Sequence, residues 1–537
     1  MTSQMNLAFL RIAKRAERQD DATLARTFVD FGAVIAALSS VDHSLIFGRR
    51  GTGKTHLSTV LRTEREKEGT VAVQLDMRNL GSTGGLYADT QIPITQRATR
   101  LLIDVLAAIH GGLLEQAVAD HSAVDLGTAG GPLDEFFAAH HDVRVVGTTT
   151  VESVTTAESS HTAEANLGIT ASLTAATLSA GAKAGEAGKE AATAKKTVSG
   201  QEIYRVSFGS VSAALRKVVS TFPGQKLWLL IDEWSEVPLD LQPMLADLLR
   251  RAVLPIRGVT VKIAAIEQRS RFMIPNAAAG NVGIEVGADV SAAVNLDDFM
   301  VFDNDEAKAV QFFRSLVHAH ASAALEQAKQ PVPASEVAMI SVAFTQGNAF
   351  DEVVRACEGV PRDAINILGL AAQRANDSSI SVGDVRAAAQ SWYQGTKNSS
   401  VSTHVDAKRL LTWLIDKVIK QRRAKGFLLE SQVRDPLIDF LYDERVLHVL
   451  RKSMSAKDNA GERFTVYAID YGCYVDLIST ARAPQGVLDL GGNQASDFVE
   501  TVPHTDLRSI RRCILDLPEF YNAAAATAAA QPVTANP

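Results

Sequence analysis

The segment from Gly48 to Thr55 reads GRRGTGKT and matches the phosphate-loop pattern GxxxxGK[ST]. Glycines let backbone N–H groups turn inward around a phosphate, and a helix that starts at the loop adds the positive end of its dipole. In such a loop Lys54 reaches the β- and γ-phosphates of a nucleotide, and Thr55 supplies its hydroxyl to Mg²⁺. The pattern therefore predicts an ATP site that includes Gly48, Gly51, Thr52, Gly53, Lys54, Thr55 and His56.

Two adjacent carboxylates, Asp232 and Glu233, follow the apolar run from Leu227 to Ile231. Ligands of open α/β sheets bind at the carboxyl ends of the strands, where this pair would lie. We expect Asp232 to hold Mg²⁺ through its water shell, and Glu233 to position or deprotonate the attacking water. Standing alone, such a pair is commonly a solvated turn. The phosphate loop upstream favours the catalytic interpretation.

A second polar cluster follows the sequence VTVKIAAI (259–266), which predicts a buried strand. A parallel strand there would bring the cluster close to the γ-phosphate, where Glu267 or Gln268 could orient the attacking water. Arg269 or Arg271 could stabilise charge in the transition state, in its own chain or in a neighbouring copy. An ordinary surface position is equally open for each arginine.

Arg362 lies in the sequence EGVPRD, between two segments with helical periodicity. A glycine ends the first helix and a proline begins the second, which is common helix punctuation. Arg362 would then occupy the first turn of the second helix. From there it could face the phosphates if the helices fold down over the nucleotide.

The elements that must position these groups change type along the chain. Strand-like apolar runs alternate with amphipathic segments up to about residue 303, which predicts an α/β fold with a parallel sheet. Before the first strand, the three- and four-residue spacing of Phe28, Phe31, Val34, Ile35 and Leu38 predicts a helix with one apolar face. After residue 303 helical periodicity dominates. The predicted units are an N-terminal helical segment (1–40), a nucleotide-binding core (41–303), an all-helical lid (304–396), a C-terminal domain with two short strands in 464–478 (405–480), a C-terminal segment (481–521) and a disordered tail (522–537).

An insertion rich in Ala, Gly, Ser and Thr interrupts the predicted core at residues 147–200. It has too few large side chains to fill a core of its own. Alternation in 167–174 and the β-rich sequence before it are compatible with a projecting two-stranded hairpin. A loosely ordered surface loop explains the composition equally well.

Four motifs together resemble the AAA+ P-loop ATPases, and among them the origin-recognition type and its bacterial relatives. They are GRRGTGKT (Walker A), LLIDEW (Walker B), the strand that follows, and EGVPRD as a second sensor, within about residues 25–395. The resemblance implies a helical lid, ATP hydrolysis with Mg²⁺ and a C-terminal winged-helix-like domain in 405–480. This chain departs from the family in having Glu or Gln at the first-sensor position and in its insertion. STAND signalling ATPases are an alternative relative, although the repeat sensor domain usual in that class is absent from this sequence.

The overall charge argues against a protein that coats nucleic acid. The formal net charge is -7, so any contact with double-stranded DNA must use a local basic patch. Residues 405–480 contain such a patch, although a solvated helix face or a protein-docking domain would look the same. Its basic residues are Lys408, Arg409, Lys417, Lys420, Arg422, Arg423 and Lys425.

The remaining composition predicts a soluble, cytoplasmic switch protein. Three widely spaced cysteines fit buried free thiols in a reducing compartment. No signal peptide is recognisable, and we expect no membrane span. We also expect the protein to assemble with copies of itself or with a partner protein, and to couple its nucleotide state to DNA or partner binding. The alternative is a STAND-like signalling or defence ATPase that acts through assembly and the insertion, without binding DNA.

Overall fold

The computed structural model describes residues 2–80, 87–119, 124–141, 143–154, 193–204, 206–275, 280–297, 305–422, 424–455, 462–479 and 510–529. Its strands in chain order are β1 (Ser44–Phe47), β2 (Val71–Asp76), β3 (Val143–Val154), β4 (Thr193–Tyr204), β5 (Leu227–Asp232), β6 (Val259–Ala265), β7 (Met273–Ile274), β8 (Val282–Gly283), β9 (Ser291–Asn295), β10 (Gly426–Glu430), β11 (Leu447–Met454) and β12 (Phe464–Ile469).

A five-stranded parallel sheet forms the centre of the molecule, in the order β2-β5-β6-β1-β9. The predicted α/β fold with a parallel sheet is therefore confirmed. Strand β6 lies between the strand that precedes the phosphate loop and the strand that ends at Asp232. The carboxyl ends of β1, β6 and β5 consequently meet at one edge of the sheet, as a nucleotide site requires.

Strands β5 and β6 are buried along their whole length. This burial shows that both faces of the sheet are covered, as is usual for a parallel sheet. The α-helices described between residues 2 and 248 are Thr2–Arg11, Asp21–Thr27, Val34–Leu38, Lys54–Lys67, Ile94–Val118, Leu126–His140, Phe208–Ser220 and Gln242–Leu248. A π-helical turn, Leu249–Val253, continues the last of them. The first of them packs on the helices Glu306–Gln327 and Pro361–Ala375.

The N-terminal segment is less regular than its periodicity suggested. The predicted helical face ran through Phe28, Phe31 and Val34, but the chain is non-helical from Phe28 to Ala33. Gly32 and Ala33 both have positive φ, which interrupts any continuous helix. The two phenylalanines therefore lie on a connecting segment, where they can face a cavity.

The insertion begins and ends in a two-stranded antiparallel ribbon, here called the arm and formed by β3 and β4. Twelve residue pairs join its strands, from Val143 with Tyr204 to Val154 with Thr193. At about 3.3 Å per residue, each strand spans about 40 Å. The predicted hairpin is thus present. Its second strand is β4, whereas the sequence pattern pointed to residues 167–174. The alternating segment 167–174 lies outside the described residues.

The region after the sheet is helical, as predicted. This helical unit comprises Glu306–Gln327, Glu336–Ala343, Gly347–Ala356, Pro361–Ala375 and Val382–Trp392, followed by a π-helical segment, Tyr393–Asn398, and a short helix, Ser399–Ser402. Its apolar side chains join those of the N-terminal helices and of the next unit in one continuous core.

The C-terminal unit (residues 405–479) contains a three-stranded antiparallel sheet in the order β10-β12-β11. Its helices are Val405–Leu414, continued by a π-helical segment Ile415–Gln421, then Pro436–Asp443 and Tyr471–Ser479. The prediction of two strands in 464–478 was wrong, because the second half forms the last of these helices. A further helix, Leu517–Ala529, also extends into the tail that was predicted to be disordered.

One described helix, Ile94–Val118, is long and apolar enough to cross a membrane by length and composition. The composition of the sequence had not predicted such a stretch. In the structure this helix packs on β2 and on helix Leu126–His140, with Leu101 and Ile109 fully buried. It is therefore a core helix of the sheet layer. The three cysteines are free and buried, as predicted.

Candidate nucleotide-binding site

The phosphate loop connects β1 to the helix Lys54–Lys67, which is the predicted strand-loop-helix arrangement. Gly51 and Gly53 have φ values of 90° and 96°, a region that glycine adopts without strain. A Cβ on Gly51 would stand 2.8 Å from the Cβ of Arg362, whereas one on Gly53 would meet nothing within 4 Å. The loop is thus closely packed on the helical unit at Gly51 and open at Gly53.

Lys54 is buried, and its Nζ donates to the carbonyls of Gly48 and Arg49 at 2.8 and 3.1 Å. Burial lowers its pKa, while the carboxylates of Glu233 and Asp232 act in the opposite direction. Thr52 donates its hydroxyl to the same Arg49 carbonyl at 2.9 Å. The ammonium therefore lies inside the loop, within the electrostatic reach of both predicted acidic residues.

Asp232 ends β5 as a buried carboxylate hydrogen-bonded by the Thr55 hydroxyl. Burial raises its pKa to about 6. The two residues predicted to hold Mg²⁺ are therefore in direct contact.

Glu233 follows in a left-handed backbone conformation, with φ 54° and ψ 40°. This conformation is costly for a residue other than glycine and is often found at functional sites. The Glu233 amide donates to Asp232 Oδ1 at 2.9 Å. Its carboxylate lies 3.9 Å from the guanidinium of Arg78, which also pairs with Asp76 and Glu17.

A cavity of about 300 Å³ lies over the loop and has two chemically different ends. One end is lined by Lys54, Thr55, Glu233 and Arg362. The other is mainly aromatic and apolar and is lined by Phe28, Phe31, His56, Phe312, Leu316 and His320. A polar end beside an aromatic end suits a nucleotide, with phosphates at the first and a base at the second.

The predicted residues His56 and Arg362 both line this cavity. The imidazole of His56 contacts the carbonyl of Leu24 at 2.7 Å and meets Phe28 edge-on. Arg362 begins its helix as predicted, and its amide donates to the Gly51 carbonyl at 3.2 Å. Burial and the nearby Arg445 lower the pKa of its guanidinium. The helical unit therefore brings a cation to the phosphate end.

The polar cluster after β6 does not reach the cavity. Gln268 and Arg269 are not among the described residues that line it. Arg269 instead pairs with Asp443 of the C-terminal unit at 3.2 Å, and Glu267 pairs with Lys452. A direct role of Arg269 at a phosphate would require the Asp443 pair to open.

The aromatic end of the cavity and Arg78 were not predicted from the sequence. Phe28 and Phe31 had been assigned to a helical face, and His320 sits in an unremarkable helix. Only the three-dimensional packing of the N-terminal segment against the helical unit brings them together. Arg78 lies two residues after the end of β2, so its position at the carboxyl edge of the sheet could have been inferred from the sequence.

The described residues fit Mg²⁺-ATP. Lys54 and Arg362 provide cationic donors for phosphate oxygens, and the helix Lys54–Lys67 begins at the loop. Thr55 and Asp232 provide the oxygen ligands that Mg²⁺ prefers. The open space beside Gly53 leaves room for a phosphate near the backbone.

Solved structures that are similar to the chain include an ATPase and an ORC1 protein. A Walker-type ATPase of Pyrococcus abyssi shares 11% identity, with 88% of this chain and 99% of that chain covered and a TM-score of 0.40. The ORC1 protein of Aeropyrum pernix, solved in complex with DNA, shares 13% identity, with 87% and 93% covered and a TM-score of 0.31. No protein-family model matches the chain, and no curated protein matches it. The parallel sheet of the chain, with the loop Gly48–Thr55 between β1 and the helix Lys54–Lys67, is by itself consistent with a P-loop core.

Proposed function

We propose that the protein binds and hydrolyses ATP with Mg²⁺ and uses its nucleotide state to control binding of DNA or of a partner. The observation that carries the proposal is the convergence of three separate elements on one cavity. The loop supplies Lys54, the end of β5 supplies Glu233, and the helical unit supplies Arg362. These are the groups that positioning and charge stabilisation of phosphoryl transfer require.

Each group has a distinct role in the proposed reaction. Lys54 and Arg362 neutralise charge on the phosphates, and Arg362 does so only when the helical unit is closed over the loop. Glu233 accepts a proton from the attacking water or orients it. Asp232 and Thr55 would hold Mg²⁺, which supplies charge neutralisation at the phosphates when bound.

The decisive experiment measures ATP binding and turnover by the full chain and by Lys54→Ala. Loss of charge-assisted hydrogen bonds worth about 1.5–3 kcal/mol should weaken ATP binding by about 10- to 100-fold. Lys67→Ala is a matched control, because Lys67 ends the same helix away from the loop. Equal ATP affinity of the folded Lys54→Ala variant and the wild type would rule out the site.

The contacts that the basic patch already makes bear on whether the partner is DNA or a protein. In the described part of the patch, Lys417 pairs with Glu519, Lys420 with Asp416, and Lys425 is buried against Glu358. These pairs reduce the charge left for DNA phosphates and favour a protein partner for this surface. DNA binding by the full chain at 50 and 200 mM salt tests this, because phosphate contacts weaken steeply with salt.

The arm favours the second candidate, a STAND-like signalling or defence ATPase that acts by assembly. Its two strands pair with each other over their full length. A ribbon of this kind leaves an outer edge on each strand for pairing with another chain. For either candidate we propose a cytoplasmic location.

A further inference from the structure

Arg49, the second residue of the phosphate loop, is almost fully buried, with 1% of its surface exposed. Its amide and its Nε donate to the two carboxylate oxygens of Asp297 at 2.9 and 2.8 Å. Its Nη2 donates to the carbonyl of Glu358 in the helical unit at 3.1 Å. The side chain therefore fixes the loop to its surroundings and is directed away from the nucleotide cavity.

Two further contacts of Arg49 cross to the C-terminal unit: its guanidinium lies over the ring of Tyr442, and its Nη1 meets Nδ1 of His448. The other ring nitrogen of His448, Nε2, lies 3.1 Å from Oδ2 of Asp470. A carboxylate only accepts, so the proton of His448 belongs on Nε2, and Nδ1 accepts from Arg49. Burial lowers the pKa of His448 to about 3, in agreement with a neutral ring.

The chain of contacts continues back into the helical unit. Lys397 donates to Asp470 Oδ2 at 2.5 Å and pairs with Asp363 at 3.0 Å. Asp363 directly follows Arg362 in the sequence. The C-terminal unit is therefore connected both to the phosphate loop and to the residue beside the predicted second sensor.

The Arg49 peptide also connects this series of contacts to the phosphate-binding groups. Its carbonyl accepts from Lys54 Nζ and from the Thr52 hydroxyl. A phosphate that draws the Lys54 ammonium changes the hydrogen bonding of this carbonyl. The side chain and the amide of Arg49 are held by Asp297 and His448, so the response of the loop depends on those anchors.

We infer that His448 is a positioning residue of the nucleotide site: it acts through Arg49 to hold the phosphate loop in its binding conformation. This inference rests on the proposed ATP function. Coupling of binding free energies is reciprocal, so ATP must also strengthen docking of the C-terminal unit. The nucleotide state would then be read by a unit that makes no contact with the phosphates.

Two substitutions separate the two hydrogen bonds of His448. His448→Gln places an amide near the position of Nε2, so it can donate to Asp470 but offers Arg49 no acceptor. His448→Asn places an oxygen near the position of Nδ1, so it can accept from Arg49 but loses the Asp470 contact. Both change the same buried ring, so each controls for the packing loss of the other.

We expect His448→Gln to bind ATP about tenfold more weakly than the wild type, and His448→Asn to stay within about twofold. Thermal unfolding of the two variants should be similar. Wild-type affinity in His448→Gln would overturn the inference. Equal loss of affinity in both variants, in step with equal loss of stability, would show a structural role and also overturn it.

A measurement on the wild-type chain covers the case in which a variant does not fold. Amide hydrogen exchange in β11, residues 447–454, should slow about fivefold or more when ATP is added, but not in Lys54→Ala. Unchanged exchange in a wild type that demonstrably binds ATP would overturn the inference. Failure of the wild type to bind ATP would instead refute the proposed function.

Discussion

Glu233 combines a strained backbone with a carboxylate next to the proposed phosphate site. Glu233→Gln keeps the size and hydrogen bonding of the side chain but removes the base. We expect turnover to fall by about 100-fold or more while ATP remains bound, because general-base catalysis contributes about 10²–10⁴ in rate. Single-turnover hydrolysis and nucleotide retention on the same sample measure the two effects. Normal turnover in this variant would assign the base to another residue.

Asp232 should make Mg²⁺-dependent ATP binding sensitive to acid. Burial raises its pKa to about 6, above the usual value of 3.8, so this group favours the folded state more as the pH falls below 6. Metal binding has the opposite dependence, because Mg²⁺ requires the ionised carboxylate. We expect Mg²⁺ affinity to fall about tenfold per pH unit below 6. Titration of Mg²⁺ between pH 5 and 7.5 measures this, with Asp232→Asn as the variant in which the dependence disappears.

At the scale of elements, the sequence allowed prediction where local signals and burial agree. Strand β5 has five consecutive apolar residues, β2 and β6 are mostly apolar, and the loop after β1 has its own motif. The parallel sheet could therefore be predicted. Periodicity failed in Phe28–Ala33, where positive φ at Gly32 and Ala33 overrides an apolar spacing of three and four. It also failed in Tyr471–Ser479, where aromatic and β-branched residues form a helix because they pack against the helical unit.

Arg362 tests whether the helical unit acts as a lid. Its side chain reaches the phosphate end from a separate element, so its contact depends on closure of that element over the loop. Arg362→Ala should weaken ATP binding about tenfold and leave ADP binding within about twofold, since a γ-phosphate contact is lost. Competition binding with both nucleotides measures the difference, and Arg374→Ala at the end of the same helix is the control. Equal loss for ATP and ADP would indicate a structural role.

At the scale of the whole molecule, contacts between distant parts of the sequence could not be predicted. Arg49 and His448 are 399 residues apart, and neither belongs to a pattern that points to the other. The same holds for Arg269, whose sequence position suggested a phosphate contact but which pairs with Asp443. Docking of the C-terminal unit on the core decides both cases. The motifs of the candidate site are therefore visible in the sequence, whereas the contacts between its units are visible only in the packing.

The arm provides the last prediction, because its register shows where it can be removed. Val146 and Gln201 are paired across the ribbon, so an Asn-Gly turn can replace residues 147–200 without displacing either strand. The two helices at its base, Leu126–His140 and Phe208–Ser220, pack on each other independently of the removed residues. We therefore expect unchanged thermal unfolding and ATP affinity within about twofold. If the arm is an assembly contact, sedimentation should show ATP-dependent oligomers of the wild type and a monomer of the shortened chain. Unchanged assembly would exclude the arm as the contact, and aggregation of the shortened chain would show that these strands stabilise the core.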